Sequence, residues 1–314
     1  MAGGVIMLSD HVERYIALRR ALGFKLSDPA RNLRDFARFA AARGDTRIRT
    51  VTAMAWAELA GTSHTRHVRL RDVTGLARFL RAEDQTHEVP PTNPFPALKT
   101  RTLPYIYTPD ELARIIASAS RLRVKNNNPL RPKTYALLFG LIAATGMRIS
   151  EALNLRIDDV LPGGVLRIRK AKFGKSRLIP LHQTVINAVN DFLEIRRRMA
   201  TITDHVFLSA ENRPLSIAMA DYTFRRILLT AAIVPQRARP PRIHDLRHTF
   251  ATRALEKCST QRHAVGRHFV ALATYLGHAD IAHTYWYLEA TPDLMTDMAA
   301  AARAFVAGED REDA

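Results

Sequence analysis

Near its end the chain reads LGHADIAHTYWY, residues 276–287, which offers a phenol at Tyr287 nine positions after His278. Earlier, RIHDLRHTF sets His244 and Arg247 three positions apart, so on a helix they share one face. Further upstream, TGMRISEAL contributes Arg148. Arg, His, Arg, His and Tyr in that order describe a site that grips a phosphodiester and attacks it with a phenolate. A guanidinium binds two phosphate oxygens in a fork, and an imidazole beside it donates to the same group or moves a proton. A free phenol with a pKa near 10 is a poor nucleophile at neutral pH, and nearby cations correct that.

Each residue also has a plainer reading. Arg148 could be a structural ion pair with Glu151 or Asp158. His248 follows His244 by four, so an i,i+4 zinc pair is a formal alternative, without the intervening Glu of a zincin or an evident third ligand. Tyr285 and Trp286 read as aromatic core. Lys170, Lys172 and Lys175 lie around AKFGK, a hairpin-like connection holding a glycine. A lysine there could enter a cleft and act as a general acid, or remain a solvated contact to a polyanion.

The elements that must position these residues are mostly helices. Apolar spacing predicts helices within 8–43 (two, the first ended by Gly23, the second begun by Ser27–Asp28–Pro29), then at 51–60 and 64–82. The last of these sets Arg66, Arg69, Arg71, Arg78 and Arg81 against Val68, Val73, Leu76, Phe79 and Leu80. Five prolines in 86–104 mark a stiff, basic linker. Beyond it, helices are expected at 109–122 (opened by Thr108–Pro109–Asp110–Glu111), 132–144, after Arg148 to about 154, and at 183–199, 216–231, 243–257, 266–275, 279–287 and 292–306. Strands are expected at 165–170 and 176–181, with a third short one at 206–209. The fold class is therefore mainly α with a small antiparallel β-sheet: an all-α domain at 1–85, a linker at 86–104 and an α+β domain at 105–314.

A chain of 314 residues suits about two domains, and 47% hydrophobic with 25% charged residues is ordinary globular composition. The formal charge of +17 calls for a polyanion, with nucleic acid first and a ribosome or an anionic membrane as the bland alternatives. The single cysteine, Cys258, allows no disulfide framework within the chain and fits a reducing, cytoplasmic setting. The first residues lack the pattern of a signal peptide. The longest apolar stretch, 135–146, falls well short of the ~20 residues a spanning helix needs, so no membrane partner is expected.

The ordered set TGMRISEAL, KAKFGKSRLIPL, HDLRHTFAT, LGH and a tyrosine nine residues later resembles the tyrosine recombinases, also called the phage integrase family of site-specific recombinases. The resemblance covers about 105–290, and the N-terminal helices match that family's core-binding domain by pattern only. It implies that Arg148 and Arg247 clamp the scissile phosphate and that His244 is the acid/base histidine. It also implies that His278 supports the phosphate oxygens and that Tyr287 is the nucleophile. Counting back from RLIPL, Lys172 matches the family's hairpin lysine better than Lys175, with Lys170 third. Departures exist: Tyr285 lies two before Tyr287, and CSTQRHAVGRHFV (258–270) exceeds the short turn many members have there. Its Arg262, His263, Arg267 and His268 could form an extra DNA contact. The chain is too short for a separate arm-type DNA-binding domain, which resembles the simple recombinases of mobile elements and chromosome resolution.

What the resemblance implies is cutting and rejoining of double-stranded DNA through a 3′-phosphotyrosyl link. One ester replaces another, so no ATP, cofactor or metal is expected. A tetramer on DNA, of this chain or with a related recombinase, is the implied assembly, with the apolar segment from Leu294 to Val306 packing into a neighbour. Rivals are a type IB topoisomerase and a DNA-binding protein that has lost catalysis. A protein bound to RNA or the ribosome would explain the charge but not the ordered motifs.

Overall fold

The computed structural model describes residues 7–92, 94–95, 103–124, 129–169, 176–199, 203–234, 240–256 and 262–277. By its internal contacts the chain divides into two units, Met1–Arg101 and Thr102–Ala314.

Among the described residues four helices build the first unit: α1 (Leu8–Ala21), α2 (Ser27–Ala41), α3 (Thr50–Glu58) and α4 (Ser63–Arg81). The apolar stripe of α2 (Leu33, Phe36, Ala37 and Ala40) is buried, as the helical period requires. Phe36 meets Trp56 of α3 with ring centroids 5.5 Å apart, and Val73 and Leu76 of α4 complete the core. Helix α2 begins at Ser27 itself, because Leu26 takes the cap position, so Pro29 sits inside the first turn. The basic face of α4 is thinner than its five arginines suggest. Arg66 donates to the carbonyl of Ala60 at 2.8 Å, and Arg69 donates to that of Trp56 at 3.3 Å, stacking over the Trp56 ring. Arg71, Arg78 and Arg81 stay exposed.

The start of the proline-rich stretch is anchored to this unit. The Ile48 N–H donates to buried His87 at 3.1 Å, the Glu88 N–H to the Ile48 carbonyl at 2.9 Å, and the Thr50 N–H to the Glu88 carboxylate at 2.7 Å.

The second unit holds α5 (Pro109–Ser120), α6 (Arg131–Thr145), α7 (Ile149–Leu153), β1 (Val160–Leu161), β2 (Val165–Ile168), β3 (Arg177–Pro180), α8 (Gln183–Arg197), α9 (Ile217–Thr230), α10 (Ile243–Glu256) and α11 (Arg262–Leu276). Helix α5 opens with a reciprocal cap: the Glu111 N–H donates to Thr108 Oγ at 3.1 Å and the Thr108 N–H to the Glu111 carboxylate at 2.8 Å. Helix α6 is apolar nearly all round and is the centre of the core, with Phe139 against Phe224 of α9 at 4.8 Å. Among the described residues the sheet has three antiparallel strands in the order β1-β2-β3, with Val165 opposite Pro180 and Ile168 opposite Arg177.

The strand expected at 206–209 is not one. Its neighbourhood forms only isolated bridges, Arg156 with His205 and Leu208 with Pro214. Strand β1 was not foreseen, since two residues carry no alternation. The helix expected at 266–275 begins earlier, at Arg262, and its His268 bonds the carbonyl of Ala254 at 2.8 Å. His268 thus packs α11 onto α10. The helices expected at 279–287 and 292–306 lie outside the described residues. Among the described residues no helix is long and apolar enough to cross a membrane.

Candidate active site

Helix α6 ends at Gly146, whose left-handed backbone (φ +63°) turns the chain sharply at the edge of the core. A side chain there is also barred by space, because a Cβ would stand 2.4 Å from the Phe250 ring. The turn delivers Arg148 to the cap position of α7. Its Nη1 donates to Glu151 at 2.9 Å, so the plainer reading of Arg148 as an ion pair with Glu151 holds. Its Nη2 donates to the carbonyl of Gly277 at 3.0 Å.

Arg247 comes from α10, which is pinned in place from several sides. Asp245, fully buried, accepts the N–H of Arg242 at 2.8 Å and so caps the helix. Thr249 and Arg253 tie the same helix to the Tyr107 backbone. Arg247 is 1% exposed, a costly position for a cation without oxygen partners. It donates to the carbonyl of Gly146 at 2.6 Å and to that of Leu276 at 2.8 Å. The two arginines are therefore locked to each other through backbone: Arg247 holds the turn that carries Arg148, and both reach the adjacent carbonyls of residues 276 and 277.

Gly277 ends α11 with φ +66°, and a Cβ there would come within 3.1 Å of the Arg177 guanidinium and 3.7 Å of Arg148. This explains the glycine in LGH: the chain must turn left-handed while passing directly over two cations.

His244, one turn before Arg247 on α10, reaches the surface. Loss of water around its ring, together with the positive charges of Arg247, Arg242 and Arg148, pushes its pKa down to about 4 against the opposing pull of Asp245. It is neutral at pH 7 and able to accept a proton. Its ring meets buried His248 edge to face at 4.5 Å. Among the described residues no group of three or more His, Cys, Asp or Glu is placed to hold a metal ion.

The structure thus brings together Arg148, His244 and Arg247. Lys172, His278 and Tyr287 lie outside the described residues, as do Lys170, Lys175, Tyr285 and Trp286. A different tyrosine, Tyr275, feels the charges of Arg177 and Arg247, but burial outweighs them and pushes its phenol up. It packs on Phe250 with ring centroids 5.7 Å apart, a structural role.

Sequence reasoning missed Arg177. At the start of β3 it makes a fork to Glu151, at 2.9 and 2.7 Å. Its only sequence signal was its place in SRLIPL, directly after the lysine hairpin.

The chain matches the family model described as Phage integrase family over residues 106–293. It is 36% identical over 297 residues to a protein of Sinorhizobium fredii (strain NBRC 101917 / NGR234) that bears the name integrase/recombinase y4rB, covering 91% of this chain and 94% of that one. In fold it is similar to the Tn1549 transposon integrase in complex with transposon right end DNA (TM-score 0.68, 18% identity, 95% of this chain and 100% of that one). It is also similar to a lambda integrase tetramer bound to a Holliday junction (TM-score 0.63, 18% identity, 90% of this chain and 77% of that one). The helical architecture, the three-stranded sheet and these matches agree that the chain belongs to the phage integrase family, the tyrosine recombinases that break and rejoin DNA.

Proposed function

We propose that this recombinase cuts one DNA strand by attack of Tyr287 on a phosphodiester held between Arg148 and Arg247. The observation that carries this reading is the mutual locking of the two arginines on the 276–277 backbone, with a neutral imidazole beside them. Donors fixed before the substrate arrives stabilise the charge that gathers on the non-bridging oxygens without having to reorganise.

In the proposed step the Tyr287 oxygen bonds to phosphorus and the bond to the 5′-oxygen breaks, leaving a 3′-phosphotyrosyl link and a free 5′-hydroxyl. His244 takes the phenolic proton, and Lys172 protonates the departing oxygen. His278, next in chain to the Gly277 that both Arg148 and Arg177 approach, completes the cradle. Attack by the 5′-hydroxyl of a partner strand reverses the chemistry and reseals. The helices of 1–85 act as a core-binding clamp, 86–104 as linker and 105–314 as the catalytic domain.

Four active sites acting on two duplexes require a tetramer on DNA, and the segment from Leu294 to Val306 is assigned to subunit contact. Similarity to y4rB and to a transposon integrase supports a role in moving a mobile element. A plasmid carrying two copies of the DNA that flanks the gene tests the reading. Recombinant products are expected; relaxation of any supercoiled plasmid with no recombinants would favour the type IB topoisomerase, and no change in either the silent binding protein.

A further inference from the structure

The carboxylate of Glu151 is unusually crowded with donors. Its Oε1 accepts Nη1 of Arg148 at 2.9 Å and Nη1 of Arg177 at 2.9 Å. Its Oε2 accepts the Arg148 backbone N–H at 2.9 Å and Nη2 of Arg177 at 2.7 Å. The side chains are 8% exposed for Glu151 and 14% for Arg177, against 26% for Arg148, so the two outer members shield the carboxylate from water. Burial by itself would raise the Glu151 pKa, but the Arg177 hydrogen bonds, the Arg148 N–H and both positive charges outweigh it and hold the group down at about 2.

Charge balance decides what Arg177 contributes. Arg148 paired with Glu151 alone is a neutral couple, and a phosphodiester approaching it meets a cation already cancelled. With Arg177 present the three residues carry one net positive charge, next to Arg247. The fork also fixes the carboxylate plane, and Glu151 in turn fixes both the backbone and the guanidinium of Arg148. Arg177 further opens β3, and its guanidinium lies beside Gly277.

We propose that Arg177 is a positioning residue for DNA cleavage, which neutralises and orients Glu151 so that Arg148 keeps both its place and its charge for the scissile phosphate. This rests on the reading of Arg148 as a phosphate ligand.

The test uses the full chain and a nicked duplex taken from the DNA flanking the gene, with single-turnover formation of the covalent complex, duplex affinity and thermal melting measured in parallel. The wild-type protein is read first: if it forms no covalent complex, the recombinase reading fails, and Arg177 is not the cause. Given a competent wild type, Arg177→Met is expected to slow cleavage by about thirtyfold or more, with duplex affinity within about threefold. Adding Glu151→Gln removes the uncompensated carboxylate and should raise the rate at least about fivefold over Arg177→Met alone. A merely structural arginine gives no such rescue, because the second substitution only removes more contacts. Wild-type cleavage by Arg177→Met, or a double variant no faster than Arg177→Met, overturns the proposal. If Arg177→Met melts below the assay temperature, Arg177→Lys decides, since it keeps the charge but loses the fork. Cleavage slowed at least about threefold at unchanged affinity and melting supports the proposal, and a wild-type rate overturns it.

Discussion

Two sets of arginines, one in each unit, carry their positive charge in opposite ways. In the first, Arg71, Arg78 and Arg81 stand exposed along α4, and Arg31 and Arg38 make ion pairs with side chains 76% and 78% exposed. In the second, Arg247 is 1% exposed and Arg177 and Arg148 are mostly covered, each held by carbonyls or by Glu151. Exposed cations on flexible stems gain little from any one partner and are screened by salt, so they add affinity in small equal steps. A cation fixed in a dry pocket does little for encounter but much for a transition state, because its orientation is settled before reaction. On the proposed reading, the difference separates residues that hold DNA from residues that act on it.

Substitution at the most enclosed cation should show the largest effect. Arg247→Ala removes the donor from the carbonyls of Gly146 and Leu276 as well as the proposed phosphate ligand. Covalent complex formation should fall by about 10³-fold or more. Thermal or denaturant unfolding should also show a loss of about 2–4 kcal/mol, since two buried carbonyls are left unmet. Normal stability combined with normal cleavage would break the contrast outright.

Glu151 links the arginine site to acid stability. Its carboxylate ionises near 2 in the fold and near 4.5 in the unfolded chain, so its stabilising contribution is complete above 4.5 and is lost as pH falls toward 2. The contribution is on the order of 3 kcal/mol. Glu151→Gln should therefore flatten that portion of the unfolding free energy between pH 5 and 2, read by denaturant titration at a series of pH values.

The exposed side of the comparison predicts the smallest change. Arg78→Ala and Arg81→Ala should each reduce the slope of log affinity against log salt by about 1. Both should leave the cleavage rate at saturating DNA unchanged. A cleavage defect at saturation would move these residues into the reacting site.

Much of this was legible because burial leaves a periodic trace. The stripe Leu33, Phe36, Ala37 and Ala40 announces α2, and the apolar run at 135–146 announces α6 as a buried helix. Strands β2 and β3 show in VLRIRK and SRLIPL, whereas β1 is two residues that only its partner makes a strand. Helix α11 begins in RHAVGRH, polar enough to read as loop, and it is held by long-range contacts such as His268 to Ala254. At the site, Arg148, His244 and Arg247 were legible because each lies in a compact motif. Arg177 was not, because it is one of 47 Lys and Arg residues and its partner lies 26 positions away. A fork between two residues so far apart leaves no local pattern. The anchoring of His87 and Glu88 to the first unit was hidden for the same reason, since proline density marks a break in helix but not where the chain rests.

The central claim is that a phenol oxygen at 287 becomes joined to DNA beside these fixed arginines. The most direct measurement is to trap protein on a nicked duplex from the flanking DNA, digest the complex and locate the nucleotide-bearing residue by mass spectrometry, for wild type, Tyr287→Phe and Tyr285→Phe. The account predicts a nucleotide on Tyr287 in the wild type and in Tyr285→Phe, and no covalent complex with Tyr287→Phe. Undiminished complex from Tyr287→Phe, or a nucleotide on any other residue, would contradict it.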